Sequence, residues 1–257
     1  MRIAKALEPA IRRASDAILA VYDRPDLGIQ TKSDLSPVTD ADLASHSILA
    51  GALAALTPDW PLVSEEDSAT HEQPLGASTY WLLDPLDGTK EFIARTGEFS
   101  ISLGLVNGDQ AIFGLLYGPI HGRLYRGGLG MPAQRRQLAE PQAPWESIVA
   151  RYRPSDGGVL VSSRRSNPRL DGEVVSQHVL LGSALKFGRV AEGEADLYIR
   201  RGSTMEWDTC AGQAILEAAG GTVQTLDGQP LRYGKPQRLN QGFIARGKLS
   251  VTGEPAH

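Results

Sequence analysis

Two apolar runs on either side of Asn107-Gly108-Asp109 constrain the fold of this chain most strongly. The runs FSISLGLV and QAIFGLLY have the composition of buried strands, and only these three residues separate them. Because asparagine and glycine tolerate a positive φ, the three residues predict a tight turn between antiparallel strands. The run GRLYRGG at 122–128 predicts one more strand of the same kind. We therefore expect an antiparallel sheet in the middle of the chain.

Helices are predicted before this sheet. Apolar residues recur at helical spacing over 3–22, which indicates an amphipathic helix packed on the core. A second helix is predicted over 39–56, because helices tend to end before a proline and Thr57-Pro58 follows. The short apolar runs at 61–64 and 80–84 predict buried strands.

The second half of the chain alternates between strand patterns and helix patterns. Its last helix carries small apolar side chains and ends at a pair of glycines, a typical C-cap. The predicted strands lie at 158–163, 195–200, 222–225 and 242–246, and the predicted helices at 183–193 and 208–219.

Two helices, an antiparallel sheet and an alternating half together predict a layered α/β architecture. The N-terminal half has α+β character and the C-terminal half has α/β character. Residues 131–158 are rich in proline, glutamine and arginine, and they predict a poorly patterned connection. We therefore expect an N-terminal subdomain over 1–150 that carries the acidic motifs described below, and a C-terminal subdomain over 151–257 that completes the active site.

Composition and charge exclude several classes of protein. The 257 residues are enough for one large domain or two small ones with a sizeable core. The net charge of −4 gives no basic field, so we expect no nucleic-acid partner. The single cysteine, Cys210, excludes an internal disulfide and a cysteine-built zinc site. No run reaches the roughly 18 apolar residues of a membrane span, and charges interrupt the N-terminal run that a signal peptide would need.

Carboxylates gather where predicted strands end and predicted helices begin, which is where functional side chains usually project. Such groups repel one another and lose solvation when they are brought together, and a hard cation is the usual compensation. Mg²⁺ prefers oxygen ligands and is often completed by a substrate phosphate. The candidates are Glu65, Glu66 and Asp67 after the strand at 61–64, Asp84 and Asp87 after the strand at 80–84, Asp208 at the start of the last helix, and Asp40 and Asp42 at the start of the second helix.

The run DPLDGT, which begins at Asp84, has a composition suited to holding a cation. Its proline fixes φ, and its glycine permits tight chain reversal. We expect a turn in which Asp84 and Asp87 face one point, with the Leu86 carbonyl between them. Thr89 adds a hydroxyl that can orient a water. A helix starting near Gly88 would offer free N–H groups to phosphate oxygens.

Each of these features also has a plainer structural interpretation, which the residues alone leave open. DPLDG could form only a turn. Asp208 and Asp40 could be only helix N-caps. The run at 65–67 could be only a solvated loop. Cys210 is best explained as a small core side chain.

Taken together, three stretches resemble the inositol monophosphatase superfamily. That family is marked by a Glu-Glu pair, an Asp-Pro-(Ile/Leu)-Asp-Gly-Thr motif and a later Trp-Asp. They stand here as SEED (64–67), DPLDGT (84–89) and WDTCAG (207–212). Their order and spacing fit, and the resemblance covers nearly the whole chain, least clearly over 131–157.

Within the superfamily, the chain is similar to the CysQ-type 3'(2'),5'-bisphosphate nucleotidases. The similarity is carried by KSDLSPVTDAD (32–42), DPLDGTKEF (84–92) and GSALKFGRVAEGEADLY (182–198). One departure is SSRRSNP (162–168), where that type often has Ser-Arg-Ser-His. The absent histidine bears on nucleotide binding and not on the metal chemistry.

The resemblance implies a layered αβαβα sandwich of the inositol monophosphatase and fructose-1,6-bisphosphatase type. It also implies Mg²⁺-dependent release of phosphate from 3'-phosphoadenosine 5'-phosphate, giving AMP, with the sulfated analogue as a second substrate and with inhibition by lithium. The setting would be sulfur assimilation. Members of this type lie in the cytoplasm, some of them on the inner membrane. The oligomeric state stays open, and a homodimer is one alternative.

The resemblance further implies a site for two or three Mg²⁺ ions. Carried over by motif, Glu65, Asp84 and the Leu86 carbonyl would hold a first ion. Asp84 would bridge to a second ion, which Asp87 and Asp208 would also hold.

The same motifs imply roles in catalysis and substrate binding. Thr89 would orient the attacking water, and Glu65 would accept its proton. Asp40 would support a third ion or that water. Lys186 would be the first candidate to hold the second phosphate and the adenosine. The residues expected to contact the substrate are Lys186, Ser183, Arg164, Glu65, Leu86, Asp87, Gly88, Thr89 and Asp208.

Other functions fit parts of the sequence. A haloacid-dehalogenase phosphatase also has an aspartate-rich motif, but its two aspartates are two residues apart, whereas Asp84 and Asp87 are three apart with a proline between them. An inositol or sugar phosphatase would use the same metal site, because that site contacts only the phosphate. A non-catalytic binding module would not need every metal ligand, and here none is missing.

Overall fold

Helices and sheets stack in alternating layers in this protein. The computed structural model describes residues 2–32, 34–72, 75, 78–140, 142–155, 157–164, 166 and 174–248. The helices are α1 (Arg2–Tyr22), α2 (Asp40–Leu56), α3 (Thr89–Ile93), α4 (Leu185–Ala191) and α5 (Cys210–Ala218). The strands are β1 (Gln30–Thr31), β2 (Pro37–Val38), β3 (Leu62–Ser64), β4 (Thr79–Asp87), β5 (Ser100–Asn107), β6 (Gln110–Gly118), β7 (Arg123–Gly128), β8 (Met131–Gln137), β9 (Glu146–Ser147), β10 (Gly158–Ser162), β11 (Val175–Leu180), β12 (Leu197–Arg200), β13 (Thr204–Met205), β14 (Thr222–Gln224), β15 (Leu239–Asn240) and β16 (Phe243–Arg246).

Both predicted N-terminal helices are confirmed. α1 buries one face, which includes Ile11 and Ile18. α2 follows Thr39, whose hydroxyl accepts a hydrogen bond from the Ala41 N–H while the Asp42 carboxylate accepts one from the Thr39 N–H. This capping box satisfies N–H groups that the first turn of a helix leaves unpaired. No helix in the described part of the chain is long and apolar enough to span a bilayer.

A seven-stranded sheet lies against these two helices. Its order is β3-β4-β5-β6-β7-β8-β9, with β3 and β4 parallel and the other neighbours antiparallel. Asn107 pairs with Gln110 across the predicted hairpin, and Gly108 has a φ of 61°, so the hairpin is confirmed. Side chains alternate along a strand, and accordingly Leu115 packs with α1 and α2 whereas Leu116 packs with α4 and α5.

The prediction of an unpatterned connection over 131–158 is wrong for the first part of that range. Met131–Gln137 form β8, which pairs with β7, and the short strand β9 follows at the edge. β8 is stabilised by polar pairs: Gln134 accepts two hydrogen bonds from Arg126, at 2.7 and 3.1 Å. A strand of this kind lacks the apolar alternation by which strands are recognised in a sequence.

A five-stranded sheet forms in the C-terminal half. Its order is β11-β10-β12-β16-β14, and β10 runs parallel to both β11 and β12. The predicted strands and helices of this half are confirmed, and none of their ends is shifted by more than two residues. The sequence did not predict the edge strand β11, because five of its six residues are exposed and it has no apolar face.

Helices α4 and α5 fill the layer between the two sheets. Phe187 of α4 stacks against Phe243 of β16, with ring centroids 5.5 Å apart. α5 lies so close to the seven-stranded sheet that a Cβ at Gly114 would come within 2.2 Å of the Ala211 carbonyl oxygen. A helix from the C-terminal half therefore packs directly on the sheet of the N-terminal half.

The two sheets fall on either side of residue 150. The seven-stranded sheet ends at Ser147, and the five-stranded sheet begins at Gly158. The division into subdomains over 1–150 and 151–257 stays a prediction. Because α5 packs on the seven-stranded sheet, a separate N-terminal fragment would expose the surface that α5 covers.

We expect Gly114→Ala to lower the free energy of unfolding by about 1–3 kcal/mol, because the added methyl group overlaps the Ala211 backbone. Gly51→Ala is the matched control. No described atom lies within 4 Å of the Cβ position at Gly51, which is in α2, so the same change there should stabilise by about 0.5–1 kcal/mol. Urea denaturation measures both effects, and equal effects would contradict the close packing of α5.

Candidate active site

Asp84 and Asp87 project from the same face of β4 because the strand carries a bulge. Asp84 pairs with Ser102 and Asp87 with Ser100, so two residues of β4 stand opposite the single residue Ile101. In a regular strand, side chains three residues apart point to opposite faces. The extra residue brings both carboxylates to one face. The prediction of a turn over DPLDG is therefore wrong, because β4 continues to Asp87.

Two further elements bring carboxylates to this bulge. β3 runs parallel to β4, and the N–H of Glu65 at its end donates to a β4 carbonyl at 3.0 Å. Asp208 ends a single 3₁₀ turn, and the Ser102 hydroxyl donates to that turn at the Trp207 carbonyl, 3.1 Å away. One carboxylate oxygen from each of Glu65, Asp84 and Asp208 lies within 4.8 Å of the other two. These three residues could hold a cation.

Asp87 is held by the C-terminal half of the chain. Its carboxylate accepts a hydrogen bond from the Ala184 N–H. Lys186 donates to the carbonyls of Leu181, at 3.1 Å, and of Ser183, which has a positive φ of 51°. Lys186 thus stabilises the turn that directs the Ala184 N–H towards Asp87. Its side chain is buried against protein carbonyls, which argues against the direct substrate contact expected of Lys186.

Burial and mutual repulsion raise the pKa values of the clustered carboxyls. Burial raises the pKa of Asp84 well above its usual range, and the charges of Glu65, Asp87 and Asp208 raise it further. Burial and then the charges of Asp87 and Glu65 raise the pKa of Asp208 in the same way. Burial raises the pKa of Asp87 to about 6, although the charge of Lys186 lowers it. In the folded protein these groups therefore favour either protonation or a bound cation.

Lys32 contacts the same cluster from the end of β1. Its Nζ lies 2.9 Å from Glu65 Oε1 and 2.7 Å from Glu66 Oε1. Burial raises the pKa of Glu66 to about 7, against the opposite effect of its hydrogen bond to Lys32. Lys32 therefore neutralises part of the negative charge. This role of Lys32 was not predicted, because nothing in the pattern of the chain pairs residue 32 with residues 65 and 66.

Asp42, and not Asp40, lies beside Thr89. Thr89 Oγ1 is 3.0 Å from Asp42 Oδ1 and 3.3 Å from the Leu86 carbonyl. Asp40 is half-exposed and pairs with Arg24 at 3.4 Å. Asp42 therefore lies beside Thr89, where Asp40 was expected. The sequence placed Asp42 only among the acidic residues at the start of the second helix, and no pattern indicated its contact with Thr89.

The structure also shows whether Asp208 and Asp40 are helix N-caps. Asp208 accepts a hydrogen bond from the Met205 N–H at 2.7 Å, so its carboxylate caps its own 3₁₀ turn and not α5. Thr39 is the N-cap of α2, and Asp40 is the first residue of that helix. Cys210 is buried, as expected of a core side chain.

Arg164 and Gly88 lie at the rim of the carboxylate cluster. Arg164 donates to Glu98 through Nε at 3.1 Å and Nη2 at 2.5 Å, and Glu98 also accepts from the Gly182 N–H at 2.9 Å. Gly88 precedes the five-residue helix α3 with a φ of 96°, a conformation that favours glycine. Of the SSRRSNP stretch, positions 165, 167 and 168 lie outside the described residues.

We expect Asp84→Asn to stabilise the metal-free protein. An amide of the same shape is neutral without taking up a proton, and its oxygen can still accept the hydrogen bond from the Leu86 N–H at 3.0 Å. The folded wild type holds a proton on Asp84 that the unfolded chain releases, so its stability falls as the pH rises above about 4. In EDTA at neutral pH the variant should melt about 2–4 °C higher, with a weaker dependence on pH. A lower melting temperature for the variant, or an unchanged pH dependence, would contradict the electrostatic repulsion among these buried carboxyls.

Comparison with known proteins extends over both halves of the chain. The model of the Inositol monophosphatase family matches residues 2–249. The 3'(2'),5'-bisphosphate nucleotidase CysQ of Escherichia coli (strain K12) is 40% identical over 239 residues, which covers 90% of this chain and 94% of that protein. The crystal structure of CysQ from Bacteroides thetaiotaomicron has a TM-score of 0.75 and 32% identity, and the match covers 97% of this chain and 98% of that one.

The structure is also similar to that of an inositol monophosphatase. The enzyme from Anabaena has a TM-score of 0.71 and 25% identity, with 95% of this chain and 89% of that chain covered. The predicted fold class, a layered α/β sandwich of the inositol monophosphatase type, is confirmed. Because the family model matches nearly the whole chain, and because the Glu65, Asp84 and Asp208 carboxylates converge where the family motifs stand, this chain belongs to the inositol monophosphatase family.

Proposed function

We propose that this chain is a Mg²⁺-dependent phosphomonoesterase that hydrolyses 3'-phosphoadenosine 5'-phosphate to AMP and phosphate, and that also acts on the sulfated analogue. The proposal is carried by the cluster of Glu65, Asp84 and Asp208 in a chain that is 40% identical to a 3'(2'),5'-bisphosphate nucleotidase. The setting we propose is sulfur assimilation, in the cytoplasm or at the cytoplasmic face of the inner membrane. Sedimentation of the full chain tests the homodimer that the resemblance leaves open.

The residues of the cluster fit magnesium. Every candidate ligand is an oxygen donor, which is the donor type that Mg²⁺ prefers. We propose that Glu65, Asp84 and the Leu86 carbonyl hold one ion, and that Asp84, Asp87 and Asp208 hold another, with a third ion at partial occupancy. When bound, these ions supply positive charge that offsets the charge of the phosphate and of the attacking and leaving oxygens. Lithium would inhibit by competing for these positions.

We propose that Thr89 and Asp42 take up the proton of the attacking water. The Thr89 hydroxyl donates to the Asp42 carboxylate at 3.0 Å, so its oxygen is left to accept a hydrogen bond from the water. Burial raises the pKa of Asp42, which makes its carboxylate a stronger base. Glu65 is the second base that we propose. Attack by water on the phosphorus releases the alcohol of the nucleotide directly, and no phosphorylated side chain is formed.

The first experiment measures phosphate release in Mg²⁺ and in EDTA from three substrates. We expect 3'-phosphoadenosine 5'-phosphate to be hydrolysed with a much higher kcat/KM than inositol 1-phosphate or fructose 1,6-bisphosphate, and only with Mg²⁺. Preference for an inositol or sugar phosphate would keep the metal site and overturn the substrate. Release from none of the three would overturn the enzymatic proposal.

We expect Asp42→Asn to reduce kcat by about 10²-fold or more, because a neutral amide cannot take a proton from the water through Thr89. Asp40→Asn makes the same chemical change two residues away, where the carboxylate pairs with Arg24. That control should leave kcat and KM unchanged. Melting temperatures of both variants check that the capping box survives, and equal effects on kcat would contradict the role of Asp42.

A further inference from the structure

A cavity of about 380 Å³ lies between the start of α1 and the strands β7 and β8. It is on the face of the seven-stranded sheet opposite the carboxylate cluster. Arg126 of β7 is the cross-strand partner of Leu115, which packs with α1 and α2, whereas Asp84 lies on the α5 face. The volume suits a small organic molecule. The described side chains that line this outer cavity are Arg2, Lys5, Glu8, Arg126, Arg136 and Trp145.

The outer cavity carries an excess of positive charge. Four of the six lining side chains are cations, and Glu8 is the one carboxylate among them. Glu8 pairs with Arg136 at 3.4 Å. Arg2 and Lys5 are exposed on the first turns of α1, so they lie where a ligand from solvent would enter. An anion is therefore the ligand that this lining favours.

Arg126 is buried without a carboxylate partner. Its residue is 4% exposed, and no Asp or Glu in the described ranges lies at ion-pair distance from it. Its guanidinium donates to the neutral side chain of Gln134 and lies 3.7 Å from the ring centre of Trp145. These contacts offset the loss of solvation only in part, because neither partner carries a negative charge.

Arg136 brings a second guanidinium to the same place. Its side chain is 11% exposed, and its Nε is buried without a hydrogen-bond partner among the described residues. Burial lowers the pKa of Arg126, and after the opposite effect of Glu8 the charge of Arg136 lowers it further. Two largely buried cations thus share one carboxylate, and a bound anion would offset the repulsion between them.

We propose that the outer cavity binds a small, soluble organic phosphate, with its phosphate group at Arg126 and its apolar body against Trp145. Guanidinium groups match phosphate oxygens with paired N–H donors. The aliphatic stems of the lining arginines and the indole ring suit an apolar body. The depth of Arg126 favours a soluble ligand, because a bilayer surface would meet only the exposed cations Arg2 and Lys5.

Calorimetry with phenylphosphonate tests the chemical class of the ligand. This probe has a phosphate-like group on an aromatic ring and no ester bond to hydrolyse. In EDTA the carboxylate cluster repels it, so its binding reports on the outer cavity and does not depend on phosphatase activity. We expect one site that binds phenylphosphonate about 10-fold or more tightly than inorganic phosphate, because the ring is buried. Absence of binding, or equal binding of both anions, would overturn the proposal.

Three variants locate the binding. We expect Arg126→Gln to weaken phenylphosphonate binding about 10-fold or more, and Lys5→Gln about 2- to 5-fold. Arg13→Gln removes an exposed charge from the same helix, outside the lining of the cavity, and should change nothing. Melting temperatures check that each variant folds, and Lys5→Gln keeps the test valid if Arg126→Gln does not. Equal losses in Lys5→Gln and Arg13→Gln would overturn the assignment.

A crystal of the wild type gives an answer that depends on no variant. After a soak in 4-bromophenylphosphonate, we expect an anomalous bromine peak beside Trp145. A peak only at the carboxylate cluster, or none, would overturn the proposal. So would pelleting of the chain with phosphatidylglycerol vesicles in the absence of phenylphosphonate binding, because that result assigns the cations to a membrane surface.

Discussion

One extra residue in β4 sets the geometry on which the site depends. Without the bulge, Asp84 and Asp87 would face opposite sides of the seven-stranded sheet. With it, both carboxylates face the layer of α4 and α5, where Asp208 and the Ala184 N–H come from the C-terminal half. The packing of the layers therefore forms the site as well as the core, because neither half of the chain supplies all of these carboxylates.

The electrostatics of this arrangement oppose folding of the metal-free chain. Buried carboxylates repel one another, and the protein offsets the repulsion only in part, with Lys32 on Glu65 and with Lys186 near Asp87. Close backbone packing, as at Gly114 against α5, holds the groups in place despite that cost. A divalent cation bound at this cluster would relieve the same repulsion and so would stabilise the folded chain.

Much of the fold was predictable because its signals are local. The hairpin at Gly108, the two N-terminal helices and the alternating second half follow from turn chemistry and periodicity. The strand β8 and the edge strand β11 were missed, because polar contacts and pairing with neighbouring strands form them without an apolar face. The motifs located Glu65, Asp84 and Asp208. The bulge, the contact of Asp42 with Thr89 and the buried position of Lys186 depend on residues far apart in the chain, which no local pattern records.

The central claim is that the carboxylates of Glu65, Asp84 and Asp208 together hold the catalytic cations. Anomalous diffraction from crystals soaked in Mn²⁺, a substitute for Mg²⁺ with the same oxygen ligands, tests it most directly. We expect anomalous peaks at this cluster, one in coordination contact with Glu65 and Asp84 and one with Asp84 and Asp208, and their loss in Asp84→Asn. A peak elsewhere on the protein, or none at this cluster in the wild type, would contradict it.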